Sequence, residues 1–197
     1  MTSVDLTRLS CINEILTAVG FGEVTSESQT RASTQAGKIL DAESATIQSE
    51  GWQFNLEYEQ ELTAVAGQLI LPSDVLWAVP SDKSKNWVMR SNAMYDLDEN
   101  SSTNFSGTHK LTYCRFINPE KLPRPARDYV VARAARVFQD RFLGSPDLGN
   151  RLFRDEQAAR ERLLGHEGDI GCFTAFDNVY TPQMRFGRGF PIYTDLS

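Results

Sequence analysis

Residues 129–163, YVVARAARVFQDRFLGSPDLGNRLFRDEQAARERL, contain two consecutive helical patterns joined by a short turn. The apolar residues of the first pattern recur at steps of three, four and four: Val131, Ala134, Phe138 and Phe142. This spacing predicts a helix over about 125–143 that ends at Gly144. The turn Ser145-Pro146-Asp147 can cap a fourth helix over about 147–165. The apolar line of that helix consists of Leu148, Leu152, Ala159 and Leu163.

Two further helices are predicted closer to the N-terminus. The apolar residues of the first recur at helical steps: Leu9, Ile12, Leu16 and Val19. They predict an amphipathic helix over about 6–19, which a glycine at position 20 ends. A second helix is predicted over about 30–50, where Glu43 interrupts an otherwise apolar line and Gly51 ends the pattern. Together the four patterns predict a helical body.

In the middle of the chain the apolar period changes from helical spacing to alternation. Apolar side chains alternate with polar ones at Trp52, Phe54, Leu56 and Tyr58, as is typical of a half-buried strand. Further short strands are predicted at about 67–71, 86–90, 94–97 and 111–116, separated by prolines and by the polar loop 98–104. The middle third is therefore predicted to be a small β-rich insertion.

The predicted fold class is α+β, mainly a helical bundle of about four helices with an inserted small β-rich subdomain. The helical body would comprise residues 1–51 and 118–170, and the β-rich insertion residues 52–117. From Gly168 onward no sustained period is present. Residues 171–197 are therefore predicted to form an extended C-terminal arm that needs another surface to order it.

Composition and charge restrict the class of protein. The chain has 197 residues, 41% hydrophobic and 23% charged, which excludes collagen-like, coiled-coil-only and wholly disordered proteins. A net charge of −6 and a pI near 5.0 argue against a dedicated binder of duplex DNA. The start of the chain lacks a cationic segment followed by an apolar block, and no eighteen apolar residues run together. We therefore expect a soluble protein made in the cytosol, with no membrane partner.

Residues that could carry metal or nucleophilic chemistry are few. The three cysteines lie far apart at Cys11, Cys114 and Cys172, so reduced structural thiols are expected. Neither His109 nor His166 has a ligand partner at helical spacing, and no P-loop, GxSxG or GxGxxG sequence occurs. The sequence therefore predicts no catalytic residue, no metal and no cofactor.

Two groups of carboxylates could be considered as acid–base pairs. Asp155 and Glu156 are flanked by arginines on the predicted fourth helix, so ion pairs on the helix surface are favoured. A second group, Asp96, Asp98 and Glu99, falls in a turn-rich segment. It predicts either an acidic surface loop or a loop that faces a channel and repels DNA phosphates.

Candidate interface residues are concentrated in the predicted arm, because aromatic and arginine side chains dominate interface anchors. The candidates are Phe173, Phe176, Tyr180, Arg185, Phe186, Arg188, Phe190 and Tyr193. A glycine-punctuated arm cannot easily bury six rings by itself, which favours contacts with a neighbouring molecule. The alternative is that the arm folds back on its own helices. A second candidate surface is the charged face of the fourth helix, with Arg151, Arg154 and Arg160.

The order of these signals resembles the tail tubular protein A family, the head-to-tail adaptors of short-tailed phages. The resemblance covers about residues 1–58 and 118–172. It is carried by LSCINEILTAVGFGEV, by ILDAESATIQSEGWQFNLE and by the stretch at 129–163. The collinear order of these segments carries the resemblance, rather than any single motif.

This resemblance implies a structural virion protein at the head–tail junction. It implies a ring, with twelve copies, between the portal protein and the tail nozzle protein, tail tubular protein B. The ring would form part of the DNA ejection channel, help to retain the packaged genome and help to seat the tail fibre. DNA would pass through the lumen without specific binding. On this view the arm contacts the portal or a neighbouring adaptor, the helix-four arginines form ion pairs between subunits, and the loop 98–106 faces the nozzle or fibre.

Two alternatives to a ring-forming adaptor remain at this point. One is a tail-associated cell-wall hydrolase, which would need a carboxylate pair or a metal in a cleft. The other is a protein-binding module that forms no ring. A measurement of assembled mass distinguishes this module from an adaptor.

Overall fold

The computed structural model describes the backbone of residues 7–175 and side chains as far as residue 169. The helices are α1 Arg8–Ala18, α2 Arg31–Gln48, α3 Arg124–Phe142 and α4 Pro146–Ala175. The strands, all between α2 and α3, are β1 Leu56–Thr63, β2 Val75–Pro80, β3 Trp87–Arg90, β4 Ala93–Asp96 and β5 Thr108–Arg115. Short 3-10 turns occur at Gln53–Asn55 and Pro119–Lys121. The predicted α+β fold class, with four helices and a β-rich middle, is confirmed.

Helix α3 is the central element of the helical body, because it packs against each of the other three helices. Its buried side includes Ala126, Val130 and Ala134, all fully buried. The small side chains of Ala126 and Ala134 let neighbouring helices approach closely. The same core contains Ile12 and Ile15 from α1, together with apolar residues of α2 and α4. The helical spacing in the sequence therefore identified the core-facing side of each helix.

The first two helices begin at hydroxyl caps. The Thr7 hydroxyl accepts a hydrogen bond from the backbone N–H of Ser10, at 3.2 Å. At α2, Thr30 and Ser33 form a reciprocal capping box, with N–O distances of 3.0 and 3.1 Å. Such caps satisfy backbone donors that a helix start leaves unpaired. Beyond the helix ends, Gly20 and Gly51 adopt positive φ angles of 85° and 74°, which glycine allows without strain.

The strands form two small antiparallel sheets with their own core. One sheet has the order β1-β5-β2, and the other consists of β3 and β4. The buried residues Leu69, Met94 and Leu111 form the centre of a hydrophobic cluster separate from that of the helices. The middle third therefore buries apolar surface of its own.

A buried polar joint connects α2 to the last strand. The Gln48 side chain is fully buried, and its Oε1 accepts from the backbone N–H of Ile117 at 2.7 Å. The Asn55 amide donates to the carbonyl oxygens of Gln48 and Arg115 at 3.0 and 3.1 Å. Buried polar groups cost free energy unless they are hydrogen-bonded. These bonds therefore fix the sheet β1-β5-β2 at the C-terminal end of α2.

The strand predicted from Trp52 begins later than expected. Trp52 is 7% exposed, and its indole N–H donates to the carbonyl of Ile47 at 2.8 Å. Trp52 therefore covers the C-terminal end of α2, and Phe54 lies in the turn that follows. The alternation of these two residues does not mark a strand. The strand itself starts at Leu56.

Strand β2 was not predicted. The strand predicted over 67–71 is reduced to two isolated bridges, Gln68 with Val65 and Ile70 with Ala93. Strand β2 ends at Pro80, which was interpreted as a separator. A proline is compatible with a strand at the edge of a sheet, and β2 occupies that position. Strands β3, β4 and β5 lie within a few residues of their predicted positions.

Helix α4 is longer than predicted. It was expected to end near residue 165, yet it continues to Ala175. Leu163 and Glu167 are still buried in this part of the helix, so tertiary contacts extend it past Gly165 and Gly168. Of the predicted arm, residues 171–175 are helical, and residues 176–197 lie outside the described part of the chain.

Candidate assembly surfaces

An aromatic cluster lies at the end of the helical body where α1 and α3 both terminate. The ring of Phe21 meets Phe138 edge-on, with centroids 6.0 Å apart. Phe142 stacks on Phe138, with centroids 4.4 Å apart. Phe138 is buried, whereas Phe21, Phe142 and the adjoining Leu143 are 40%, 44% and 46% exposed. We call this surface the aromatic end.

An open groove of about 420 Å³ lies between β2 and β3. It is lined by Leu76, Trp77, Ala78 and Val79 on one side and by Trp87, Val88, Met89 and Ser91 on the other. Among the described strands, β2 pairs with β5 alone and β3 with β4 alone. Each is therefore an edge strand, and an edge leaves outward N–H and C=O groups without a partner strand. We call this surface the β-edge groove.

The aromatic end and the β-edge groove lie at opposite ends of the helical body. The C-terminal end of α2 meets the β-rich part, because the Trp77 indole N–H donates to the Ser49 carbonyl at 2.9 Å. The C-terminal part of α4 meets it as well, since Glu167 accepts from the backbone N–H of Gln53 at 2.9 Å. Helix α3 begins on this side and ends at the aromatic end. Its length of about 28 Å separates the two surfaces.

A network of ion pairs fixes α4 to the rest of the body. Arg133 donates from Nε to Glu43 of α2 at 2.7 Å and lies 3.6 Å from Glu156 of α4. Arg136 forms a second ion pair with Glu156. The hydrogen bond to Glu43 raises the pKa of Arg133, and the hydrogen bond to Glu156 raises that of Arg136. Three helices therefore share one network of ion pairs.

The structure corrects the interpretation of two acidic residues. Glu43 was described as an interruption of an apolar line, but it is 8% exposed and pairs with Arg133. Glu156 was expected to form ion pairs on the surface of its own helix, yet it is 3% exposed and faces α3. Since its partners come from α3, the sequence of α4 alone could not identify them.

The three candidate arginines of α4 are all exposed. Among the described residues, no ion pair within 4.0 Å includes Arg151, Arg154 or Arg160. Arg151 and Arg160 are nine residues, or two and a half helical turns, apart. They therefore lie on the two opposite edges of the buried side of α4. Arg154 lies on the side of the helix that faces away from the body. The candidates are thus spread around the helix rather than gathered in one patch.

Arg160 shares its flank of α4 with two exposed apolar side chains. Phe153 is 51% exposed and Leu164 is 47% exposed. Residues seven and four positions apart lie along one side of a helix, which places Phe153, Arg160 and Leu164 in one row. We call this row the α4 flank. Arg160 was predicted from the sequence as an interface residue, whereas Phe153 and Leu164 were not.

The acidic group around Asp96 has a structural role in its own loop. The Asp96 carboxylate accepts from the Trp87 indole N–H at 3.0 Å and from the backbone N–H groups of Asp98 and Glu99 at 2.9 and 3.2 Å. Desolvation raises the pKa of Asp96, but these hydrogen bonds outweigh it, so that the net pKa is lowered. The carboxylate is thereby kept ionised as the acceptor that organises the loop, which favours the surface-loop interpretation.

The described histidine and cysteine residues that could take part in metal or nucleophilic chemistry instead make packing contacts within the fold. His109 packs edge-on against Trp87, with centroids 4.9 Å apart. Cys11 and Cys114 are both buried and are not joined in a disulfide, as expected of structural thiols. Burial raises the pKa of the Cys11 thiol. Within the described residues, no three His, Cys, Asp or Glu side chains come together as metal ligands could.

Most of the predicted arm contacts fall beyond the described residues. Phe173 lies within α4, and its side chain is outside the described part. The other candidates also lie outside it: Phe176, Tyr180, Arg185, Phe186, Arg188, Phe190 and Tyr193. The described part of the chain offers three surfaces that sequence reasoning missed or found in part, namely the aromatic end, the β-edge groove and the α4 flank.

The aromatic end left a signal in the sequence. Phe21 stands between two glycines, and Phe142-Leu143 directly precedes Gly144. Both aromatic residues therefore lie at or just beyond the end of a helix. The spacing of Phe142 was nevertheless interpreted as core. The groove left no comparable signal, because one of its two walls is the unpredicted strand β2.

The helical body and the β-rich part together match a known protein family. The family of tail tubular proteins matches residues 9–173, which include all five strands and nearly all of the four helices. This chain belongs to the tail tubular protein family. The suspected resemblance is thereby confirmed, and this tail tubular protein is a structural protein of the phage virion tail. Membership also implies oligomerisation and contacts with other tail or portal components.

The family match ends at residue 173, so it leaves out nearly all of the candidate arm contacts of this tail tubular protein. No curated protein matches the sequence. Within the described residues, none of the helices is long and apolar enough to cross a membrane.

Proposed function

We propose that this tail tubular protein is the head-to-tail adaptor of a short-tailed phage. Copies form a ring, with twelve members, between the portal protein and the nozzle protein, tail tubular protein B. The ring makes up part of the DNA ejection channel, helps to retain the packaged genome and helps to seat the tail fibre. Its role is structural, with no catalytic residue, cofactor or metal assigned.

The observation that carries this proposal is the position of exposed apolar surface at both ends of the helical body. The aromatic end exposes Phe21, Phe142 and Leu143, and the β-edge groove lies about 28 Å away beyond the opposite end of α3. A protein stacked between two rings needs one docking surface toward each. Contiguous exposed apolar residues mark such interaction sites.

The α4 flank is suited to contacts between neighbouring copies. Phe153 and Leu164 supply apolar area, and Arg160 between them supplies an exposed charge. Apolar residues together with arginine are typical of interface centres. In a closed ring each contact raises the effective concentration for the next, so a weak lateral surface is sufficient.

The remaining parts of the chain have complementary roles in this proposal. We divide the protein into a helical body of residues 1–51 and 118–170, a β-rich insertion of residues 52–117 and a C-terminal arm of residues 171–197. The arm contacts the portal or a neighbouring copy, and the loop 98–106 faces the nozzle or the fibre. The net charge of −6 favours passage of DNA through the lumen without specific binding.

The test is the mass and negative-stain shape of the purified protein, alone and after mixing with a portal ring. We expect a ring that adds to the portal in fixed stoichiometry. A chain that binds the portal without forming a ring would be a protein-binding module instead. A chain that forms no ring and does not bind the portal would contradict the adaptor function and direct attention to the hydrolase alternative.

A further inference from the structure

We propose that the exposed side of α1 on one copy binds the α4 flank of the neighbouring copy, with Glu14 paired to Arg160. This inference rests on the proposed ring, because the ring places the two copies side by side. It adds to the proposed function the surface that receives the α4 flank and the register of the contact.

The exposed side of α1 carries one charge among small side chains. Glu14, Thr17 and Ala18 are exposed, and the half-buried Ser10 lies on the same side of the helix. Arg8 is the other charged residue of α1, and ion pairs with two carboxylates hold it. Within the described part of the chain, no ion pair within 4.0 Å includes Glu14. We call this surface the α1 face.

The α4 flank complements the α1 face in charge and in shape. Its exposed Arg160 has the charge opposite to that of Glu14 and likewise belongs to no ion pair of the described residues. The bulky side chains of Phe153 and Leu164, 51% and 47% exposed, lie along the helix on either side of it. Small residues on the α1 face leave room for such side chains, and complementary charges fix the register of an interface.

The two surfaces belong to helices on opposite sides of α3. Phe138 of α3 contacts Phe21, at the end of α1, whereas Arg136 of α3 pairs with Glu156 of α4. Two residues along a helix are separated by about 200° around its axis. Helices α1 and α4 therefore pack on opposite sides of α3, and a head-to-tail ring needs two different surfaces of this kind.

The two charges also lie at nearly the same height along the body. Glu14 is seven residues before Phe21, which places it about 10 Å from the level of Phe138. Arg160 is four residues beyond Glu156, whose partner on α3 lies two residues before Phe138, so it is about 9 Å from that level. Both displacements are toward the start of α3. Copies related by rotation about the axis of a ring keep their height, so the two residues can meet.

The same register brings a second pair of exposed side chains together. Helix α1 ends where α3 ends, and α4 runs back along α3 after a short turn, so α1 and the α4 of a neighbouring copy are antiparallel. When Arg160 is opposite Glu14, Phe153 lies seven residues before the one and Phe21 seven residues after the other. These rings are 51% and 40% exposed. Aromatic pairs contribute more than their buried area alone, so this register is favoured twice.

Charge reversal in the full-length chain tests the contact. Glu14→Arg and Arg160→Glu each place like charges across every contact of the ring, so we expect each to lower the yield of rings several-fold. The two substitutions combined in one chain should restore the yield to within about twofold of the wild type. Analytical ultracentrifugation measures the yield, and circular dichroism checks that each variant is folded.

Arg151→Glu is the matched control, because it makes the same charge change at the opposite edge of α4. Combined with Glu14→Arg, it should leave the yield as low as in Glu14→Arg alone.

Mixing the two single variants shows whether the contact lies between chains. In a ring of twelve, chains with Glu14→Arg and chains with Arg160→Glu can alternate, and every contact then joins opposite charges. We therefore expect an equimolar mixture to recover the yield of rings to within about twofold of the wild type. Native mass spectrometry should find the two chains in equal numbers.

Four results would overturn the inference, and they separate it from the proposed function. Wild-type rings without rescue by the combined substitutions would show that the α4 flank does not meet Glu14, and the adaptor function would stand. Equal rescue by Arg151→Glu would assign the effect to the net charge of the subunit. Rescue within one chain but not in the mixture would place the contact inside a single copy. A wild-type chain that forms no ring, alone or with the portal, would overturn both proposals.

Discussion

At the scale of single residues, the described chain holds its charged groups in networks that cross between helices. Glu156 of α4 is buried and shared by Arg133 and Arg136 of α3. Arg8 of α1 likewise binds Glu27 of the loop before α2, at 2.9 Å, and Asp41 of α2, at 2.9 Å. Exposed ion pairs contribute little to stability, whereas a buried charge that loses its partner is costly. We therefore expect a substitution at a buried member of these networks to lower the stability of the fold more than a substitution at an exposed member.

The substitution Glu156→Gln is expected to lower the free energy of unfolding by about 2–3 kcal/mol, because two partly buried arginines lose their shared counter-charge. The measurement is urea denaturation followed by circular dichroism. Glu161→Gln, at an exposed position of the same helix, is the control and should change stability by less than about 0.5 kcal/mol. Equal effects of the two substitutions would mean that the network does not fix α4.

The ion pair between Arg8 and Glu27 predicts a pH dependence. The hydrogen bond from Arg8 lowers the pKa of Glu27 below its ordinary value of 4.5. A carboxyl whose pKa is lower in the folded than in the unfolded state stabilises the fold above the unfolded pKa. That stabilisation is lost as the pH falls through the folded pKa.

Glu27→Gln should therefore be less stable than the wild type at pH about 6 and show a shallower loss of stability between pH about 5 and about 3. The urea midpoint at several pH values measures this. Glu23→Gln, at an exposed position, should keep the wild-type slope. An unchanged slope in Glu27→Gln would exclude this ion pair as a source of acid sensitivity.

At the scale of elements, α1 and α2 contact each other through a glycine. A Cβ atom at Gly37 of α2 would lie 2.0 Å from Oε1 of Glu27, and Arg8 donates to the Gly37 carbonyl at 3.3 Å. Glycine inside a helix costs about 1 kcal/mol relative to alanine. Glycine at this position therefore lowers the intrinsic stability of α2 but leaves the space that the ion pair between Arg8 and Glu27 occupies.

Gly37→Ala should consequently be close to neutral in the wild type, because the gain in helix propensity is offset when the Glu27 carboxylate is displaced. In a Glu27→Ala background the same substitution should stabilise by about 1 kcal/mol. Thermal unfolding of the four proteins in this double-mutant cycle measures the coupling. Equal effects in the two backgrounds would show that Glu27 does not occupy the space above Gly37.

At the scale of the whole molecule, the helical body presents different surfaces at its two ends. The aromatic end and the β-edge groove are at opposite ends, and the α4 flank runs between them. This arrangement separates contacts along a proposed tube axis from contacts around it. In the proposed ring, the arginines of α4 would contribute to contacts around the axis.

Charge reversal on α4 should therefore reduce ring formation. We expect Arg154→Glu and Arg160→Glu each to lower the yield of rings several-fold, the latter more strongly because Arg160 lies between Phe153 and Leu164. Analytical ultracentrifugation measures the yield. Arg31→Glu makes the same charge change at an exposed helix start and should leave assembly unaffected. If all three variants formed rings in equal yield, α4 would not be part of the interface between subunits.

The sequence by itself determined the four helices, their core-facing sides and the β character of the middle third. These features depend on local periodicity, and the period of apolar residues is present in the chain before it folds. The collinear helical segments were also enough to suggest the tail tubular protein family. Helix ends marked by Gly20, Gly51 and Gly144 were predictable for the same local reason.

Only the tertiary structure decided which residues at a distance share a site. It buried Glu156 beneath arginines of α3 and placed Trp52 over the end of α2. It also continued α4 to Ala175, past Gly165 and Gly168, which are local signals for a helix end. It also created the β-edge groove, whose walls come from two different sheets. Such features depend on pairing between segments far apart in the chain, and the periodicity of one segment carries no information about its partner.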